Sequence, residues 1–113
     1  MMEIKTWVIG KVDLNELKWD EFLELVFPRQ PKMRECADKI LNYIKDNPAT
    51  MNEIIKEEGL VRGTAYDAFD VLRKFGLIYR KDKYSPLVIS EQFSKALERL
   101  SKYWKNWVKE KVN

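Results

Sequence analysis

The chain has 113 residues, of which 45% are hydrophobic and 35% charged, so it is long and apolar enough to bury the core of one domain. It has no histidine and one cysteine, Cys36, which excludes serine–histidine and cysteine–histidine catalysis, an intrachain disulfide and a cysteine–histidine zinc site. The net charge of +3 is compatible with a nucleic-acid partner but does not require one.

Several classes of protein are disfavoured by what the sequence lacks. No apolar run approaches the roughly 20 residues that span a membrane, and the first residues lack the long apolar segment of a signal peptide. The four glycines form no phosphate-binding loop, and no nucleophile–base pair is recognisable. We therefore expect a cytoplasmic protein with no membrane contact, no metal, no cofactor and no enzyme activity, although chemistry by carboxylates alone stays open.

Charge and proline positions divide the chain into three parts. Residues 1–31 carry four basic and six acidic side chains, residues 32–89 carry eleven and nine, and residues 90–113 carry six and three. Pro28 and Pro31 mark the first boundary, because a residue that precedes proline disfavours the helical conformation. We predict an N-terminal arm at 1–31, a domain at 32–89 and a separate C-terminal helix at 90–113.

The arm is predicted to contain a strand and a helix. Residues 4–9 are mostly β-branched or aromatic and end at Gly10, which favours a short strand. Asp13 and Glu16 have the spacing of a capping box, and apolar residues then recur at helical spacing. The pattern predicts a helix over residues 14–27.

Three further helices follow in the predicted domain. Residues 32–46 have apolar positions three and four apart, and Asn47–Pro48 ends that helix; Cys36 lies on this apolar face and is expected to be a buried, inert thiol rather than a redox sensor. Thr50 and Glu53 form a capping box that opens a helix ending at Gly59. A helix over residues 62–75 ends at Gly76, and its predicted buried stripe consists of Ala65, Ala68, Phe69, Leu72 and Phe75.

After Gly76 the pattern changes from helix to strand. Residues 77–80 and 84–89 are predicted as two strands joined by a turn at 81–83, and Pro86 places the second strand at an edge. Ser90 then caps a long helix that reaches about Val112. The predicted fold class is mostly α with one small β-hairpin.

This order of elements resembles the winged helix-turn-helix proteins. The segments 51–58 and 63–75 are joined by a tight turn at 59–62 that contains glycine. The string Val71-Leu72-Arg73-Lys74-Phe75-Gly76-Leu77-Ile78 resembles the end of a recognition helix and the start of a wing. Residues 33–89 thus resemble the MarR and ArsR broad class of regulators, and Leu87–Leu97 resembles small archaeal members. The resemblance implies a dimeric transcription regulator that binds double-stranded DNA.

The resemblance also implies which residues contact DNA. It places the outward side of helix 62–75 in the major groove, with Gly63, Thr64, Tyr66, Asp67 and Asp70. Cationic side chains flank that helix and decorate the hairpin: Arg62, Arg73, Lys74, Arg80, Lys81 and Lys83. Lysines at a hairpin tip suit phosphate contacts, although a solvated turn is the alternative.

Asp67 and Asp70 depart from the pattern of this class. A carboxylate is repelled by phosphate, and its useful base contact is limited to the amino group of cytosine. Asp67 could instead pair with a neighbouring Arg or Lys. The two aspartates also favour the alternative function, a protein-interaction adaptor of a replication, transcription or segregation complex that does not bind specific DNA; the basic hairpin opposes it.

The C-terminal helix carries a regular apolar seam. Phe93, Leu97, Leu100, Trp104 and Trp107 follow one another at spacings of four, three, four and three residues. This is the a/d pattern of a coiled coil over two heptads, and it predicts a homodimer. The alternative is that the seam packs back on its own domain.

Overall fold

The computed structural model describes residues 17–112, so the predicted strand at 4–9 and the Asp13–Glu16 pair lie outside the described residues. The described part contains five helices and one two-stranded antiparallel hairpin, which confirms the mostly α class with a small hairpin. The elements are α1 (Trp19–Val26), α2 (Pro31–Ile44), α3 (Met51–Glu58), α4 (Arg62–Phe75), β1 (Ile78–Tyr79), β2 (Val88–Ile89) and α5 (Gln92–Val112).

Short local signals set the bounds of α3 and α4 as predicted. The Thr50 hydroxyl accepts a hydrogen bond from the Glu53 backbone N–H at 3.2 Å and begins α3. Gly59 ends α3 with φ +62°, and Gly76 ends α4 with φ +79°. Both residues occupy the left-handed region that favours glycine, so each stop is encoded by one residue.

Other predicted bounds were wrong by a few residues. Leu17 and Lys18 are not helical, so α1 begins at Trp19, and α2 ends at Ile44 instead of Asp46. Pro31 is the first residue of α2, where its missing N–H costs nothing because that donor has no partner inside a helix. Each strand is only two residues long. The chain between the strands forms a turn that has hydrogen bonds of its own.

The core lies between α2 and α4 and is closed by α1, α3 and the hairpin. Of the predicted α4 stripe, four residues are buried, but Phe75 is half-buried and contacts Phe93 of α5 at a ring distance of 6.3 Å. The predicted burial of Cys36 on α2 is confirmed. The largest side chains that are fully buried come from every part of this core: Phe27, Ile40, Met51, Ile54, Leu72 and Leu87.

Backbone hydrogen bonds attach the hairpin and α5 to the helices. The Leu87 N–H donates to the Ala49 carbonyl at 2.7 Å, which joins the residue before β2 to the loop before α3. The Phe93 N–H donates to the Gly76 carbonyl at 3.0 Å and seats the first turn of α5 on the end of α4. The Ser90 hydroxyl accepts from the Gln92 N–H at 3.1 Å; because α5 begins at Gln92, Ser90 lies one residue before the N-cap position that it was predicted to occupy.

Beyond its first turn, α5 leaves the domain. Every side chain from Ser94 to Glu110 is exposed apart from that of Val108, which is half-buried. A helix of 21 residues is about 30 Å long. Most of that length therefore presents both faces to solvent.

We predict that Gly76→Ala destabilises the fold more than Gly59→Ala does. An alanine in the left-handed region costs about 1–2 kcal/mol at either position. At Gly76 the new Cβ would also lie 2.9 Å from Gln92 Cβ and 3.0 Å from the Phe93 nitrogen, whereas nothing lies within 4 Å of the Gly59 position. Urea unfolding of the two variants measures the difference, and equal losses would show that the α4–α5 junction tolerates displacement.

Candidate nucleic-acid interface

The exposed side of α4 carries the residues that were predicted to face DNA. Gly63, Asp67 and Asp70 are exposed, while Thr64 and Tyr66 are half-buried. This side is opposite the buried stripe because α4 has a strongly amphipathic sequence. The structure therefore brings these five residues to one accessible surface, with Arg73 and Lys74 exposed at its C-terminal end.

The N-terminal end of α4 is held against α3. An Arg62 guanidinium nitrogen donates to Asn52 Oδ1 at 3.0 Å, and the same guanidinium lies 5.8 Å from the centre of the Tyr66 ring. Val61 precedes the helix without a side chain that caps its backbone N–H groups, and the first turn contains no acidic residue. The free N–H groups and Arg62 make this end electropositive.

The two aspartates on α4 differ in their surroundings. Asp70 Oδ1 lies 3.9 Å from an Arg73 guanidinium nitrogen, and both side chains are more than half exposed. Within the described residues, Asp67 forms no ion pair. Pairing with a neighbouring cation thus holds for Asp70 and not for Asp67. An exposed pair of this kind adds little stability but reduces the local negative charge.

Arg80 connects the hairpin to α4. Its guanidinium lies 4.3 Å from the centre of the Phe69 ring, and one of its nitrogens donates to the Lys83 carbonyl at 3.2 Å. Arg80 is half-buried, in contrast to its exposed neighbours Lys81 and Lys83. The side chain predicted to contact phosphate is therefore used, at least in part, to hold the hairpin on the helix.

Asp82 organises the tip of the hairpin. Its carboxylate accepts hydrogen bonds from the Ser85 hydroxyl and from the Tyr84 N–H, each at 2.9 Å. These bonds, that of the Ser85 hydroxyl above all, lower the pKa of the Asp82 carboxyl from its ordinary value because they favour the ionised form. The tip is consequently a defined turn, and its lysines extend from a fixed backbone.

Sequence reasoning missed Tyr84, the most exposed large hydrophobic residue at the tip. Its side chain is 82% exposed, and the Lys83 ammonium lies 5.9 Å from the centre of its ring. The available signal was an aromatic residue directly after the predicted turn at 81–83, beside Lys83; the sequence predicted it as the first residue of the second strand. Tyr84 therefore belongs with Lys81 and Lys83 to the accessible surface of the hairpin.

The predicted seam of α5 divides between two environments. Phe93 packs within its own chain, against Phe22 at a ring distance of 6.0 Å and against Phe75. The other four members are exposed, Leu97 to 41%, Leu100 to 64%, Trp104 to 60% and Trp107 to 40%. Phe93 thus packs on its own domain, as the alternative to a dimer predicted. The rest of the helix keeps an accessible apolar face.

Other kinds of site find little support in the described residues. Burial raises the pKa of the Cys36 thiol, which disfavours the reactive thiolate. Between residues 17 and 110, no three histidine, cysteine or carboxylate side chains are grouped as a metal site would require. In the part of the chain that the structure describes, no helix combines the length and apolarity needed to cross a bilayer.

Comparison with known proteins provides no independent assignment: no family model, curated protein or solved structure matches the chain.

We predict that Arg80→Ala lowers the free energy of unfolding by about 1–2 kcal/mol, because it removes a cation–π contact and a hydrogen bond. Lys81→Ala is the control, since this neighbour is exposed and its replacement should change stability by less than about 0.5 kcal/mol. Urea unfolding measures both variants. If they unfold at the same midpoint, Arg80 does not hold the hairpin to α4.

Proposed function

We propose that this chain is a winged helix-turn-helix protein that binds double-stranded DNA. In this proposal α4 enters the major groove, the β1–β2 hairpin is the wing on the phosphate backbone, and a homodimer acts as a transcription regulator without enzyme activity. The observation that carries the proposal is the defined cationic tip, with Lys81 and Lys83, of a hairpin that Arg80 joins to α4.

The arrangement of the helices supports a winged-helix assignment. α3 and α4 are joined by three residues, and the hairpin begins directly after the left-handed turn at Gly76. The bridge between Ala49 and Leu87 ties the hairpin to the loop before α3. This order of three helices and a hairpin is the one that the sequence resemblance implies, and it leaves one side of α4 and the hairpin tip accessible together.

The chemistry of α4 supports contacts to phosphate at one end and to bases along the exposed side. Free backbone N–H groups at the start of the helix attract a phosphate, and Gly63 lets the backbone approach because it has no Cβ. Thr64 and Tyr66 offer hydroxyl groups to phosphate or base edges. Asp67 would accept a hydrogen bond from the amino group of cytosine, so this helix would favour a C·G pair at that position.

The cationic hairpin and α4 would make different kinds of contact with DNA. Contacts from Lys81 and Lys83 neutralise phosphates and supply affinity for any duplex, whereas base contacts from α4 supply discrimination. The Asp70–Arg73 pair reduces repulsion between α4 and the backbone. Arg80 keeps the hairpin at a fixed place on Phe69, so both sets of contacts would form at the same time.

The exposed seam of α5 supports a dimer. Leu97, Leu100, Trp104 and Trp107 would pack against their equivalents in a second copy, since a projecting helix with exposed aromatic side chains gains free energy by burying them. Two copies related by a twofold axis would present two α4 helices to one face of a duplex, with half-sites about 34 Å apart.

The second candidate is an adaptor that binds a protein partner through the same surface. It is favoured by Asp67, which is exposed and forms no ion pair in the described part of the chain, and by exposed Val61 and Tyr84. DNA titration separates the two functions. An adaptor would not bind random duplex even at low salt, whereas the proposed function requires binding that weakens steeply as salt rises.

We predict that Lys81→Ala or Lys83→Ala weakens binding to all duplexes about equally and reduces the slope of log affinity against log salt by roughly one unit. Lys45→Ala is the matched control, because Lys45 is exposed at the end of α2, away from the hairpin tip. Fluorescence anisotropy with two unrelated duplexes measures the effect. A loss that depends on base sequence would make the wing a reader and contradict these roles.

We predict that Trp104→Glu dissociates the dimer, because it would bury an unpaired charge in an aromatic contact at a cost of several kcal/mol. Asn106→Glu is the control, since it adds the same charge on the opposite, polar side of α5. Sedimentation at micromolar concentration reports the assembly state. The idea fails if the wild-type protein is monomeric or if the Trp104 variant remains a dimer.

A further inference from the structure

We infer that α5 carries a second DNA-binding surface, which is separate from α4 and the hairpin and contacts phosphates without reading sequence. This surface, called the basic stripe, consists of Lys95, Arg99, Lys102, Lys105 and Lys109. The inference rests on the proposed function only for the choice of ligand, duplex DNA. Its evidence comes from different residues on a different element.

The basic stripe is a compact feature of the helix. At 3.6 residues per turn, its five side chains fall within a sector of about 120° and extend over about 21 Å of the helix axis. All five are exposed. Glu98 falls in the same sector, but among the described residues no carboxylate lies within 4.0 Å of the five charged nitrogens, so a sector of five cations and one carboxylate keeps a net positive charge.

The stripe lies opposite the apolar seam. The centre of the sector that holds the five cations is about 180° from the centre of the sector that holds Leu97, Leu100, Trp104 and Trp107. If the seam is buried against a second copy, the stripe points outward from the assembly on both copies. Burial of one face therefore leaves the other accessible, and the two surfaces do not compete.

The chemistry of the stripe fits a phosphate backbone better than a membrane surface. A helix with one basic and one apolar face is also typical of a membrane surface, where the apolar face inserts into the lipid; in the proposed dimer that face is buried, which leaves only the basic stripe to bind. A duplex strand carries one phosphate per 3.4 Å of axis, so about six phosphates of one strand lie along 21 Å. Long, flexible lysine and arginine side chains at intervals of three and four residues reach such a row without a fixed register.

The test compares two triple variants of the full chain that change the net charge equally. Lys95→Gln/Arg99→Gln/Lys102→Gln removes most of the stripe, and glutamine keeps the helix because its helix propensity is close to that of lysine and arginine. Lys39→Gln/Lys45→Gln/Lys56→Gln is the control, with Lys39 on α2, Lys45 directly after α2 and Lys56 on α3. Circular dichroism and sedimentation establish that both variants keep the helix content and assembly state of the wild type.

Binding to a 40-base-pair random duplex is then measured over a range of salt concentrations. We expect the stripe variant to lower the slope of log affinity against log salt by roughly two to three units, since each lost phosphate contact contributes about 0.9. The control should follow the wild type. The same decrease is expected when the stripe variant is combined with Trp104→Glu, because the stripe acts on each copy.

The outcomes separate this inference from the proposed function. If the stripe variant behaves like the control while Lys81→Ala and Lys83→Ala weaken binding, the basic stripe does not bind DNA and the proposed function stands. If the stripe variant weakens binding while the hairpin variants do not, the stripe stands and α4 with its wing is not the main contact. Binding of wild type to phosphatidylglycerol vesicles that the stripe variant loses, with unchanged DNA binding, would overturn the stripe in favour of a membrane surface.

Discussion

The left-handed turn at Gly76 is the constraint on which the positions of α4, the hairpin and α5 all depend. Its N–H donates to carbonyls of the last turn of α4, and its own carbonyl accepts from the Phe93 N–H at the start of α5. There is no room for a Cβ between the two helices, because Gln92 and Phe93 approach to within about 3 Å of where it would lie. Gly76 thus ends α4, precedes β1 and accepts a hydrogen bond from the start of α5.

The hairpin is a short element that is held largely by contacts outside its two strands. Two-residue strands provide few backbone hydrogen bonds, and a lone hairpin is marginal in water. Arg80 on Phe69, Asp82 in the tip and the Ala49–Leu87 bridge supply what the strands lack. A cationic tip held in this way loses little conformational entropy on binding, which suits a surface proposed to contact a polyanion.

The small net charge of this protein conceals surfaces of opposite local charge. The net charge is +3, yet the lysines of the hairpin tip and of the outer side of α5 form no ion pair within the described residues, while the exposed side of α4 carries two aspartates. Long-range attraction to DNA would come from the tip and α5. Asp67 and Asp70 would act at short range, where a carboxylate penalises most base edges and accepts from cytosine.

Local signals in the sequence determined where several elements begin and end. Thr50 opens α3, Gly59 and Gly76 close α3 and α4, and the apolar spacing of α4 identified Ala65, Ala68, Phe69 and Leu72 as buried. These features were predictable because hydrogen bonds within one turn and one periodicity decide them. The exposed side of α4 follows from the same periodicity, so the sequence alone predicts which of its residues are accessible.

Only the tertiary structure decided how residues far apart in the chain use their side chains. Arg80 lies on Phe69, eleven residues away, so the sequence alone could not show that its role differs from that of Lys81. Phe93 lies between Phe22 and Phe75, so the sequence alone could not show that it packs on its own domain whereas Leu97 is exposed. The Asp70–Arg73 pair is local by contrast, because Arg73 lies three residues after Asp70 on α4, whereas no cation lies three or four residues from Asp67. Spacing along a helix limits which contacts a side chain can make. The packing of distant segments selects among these contacts, and that packing depends on the whole core.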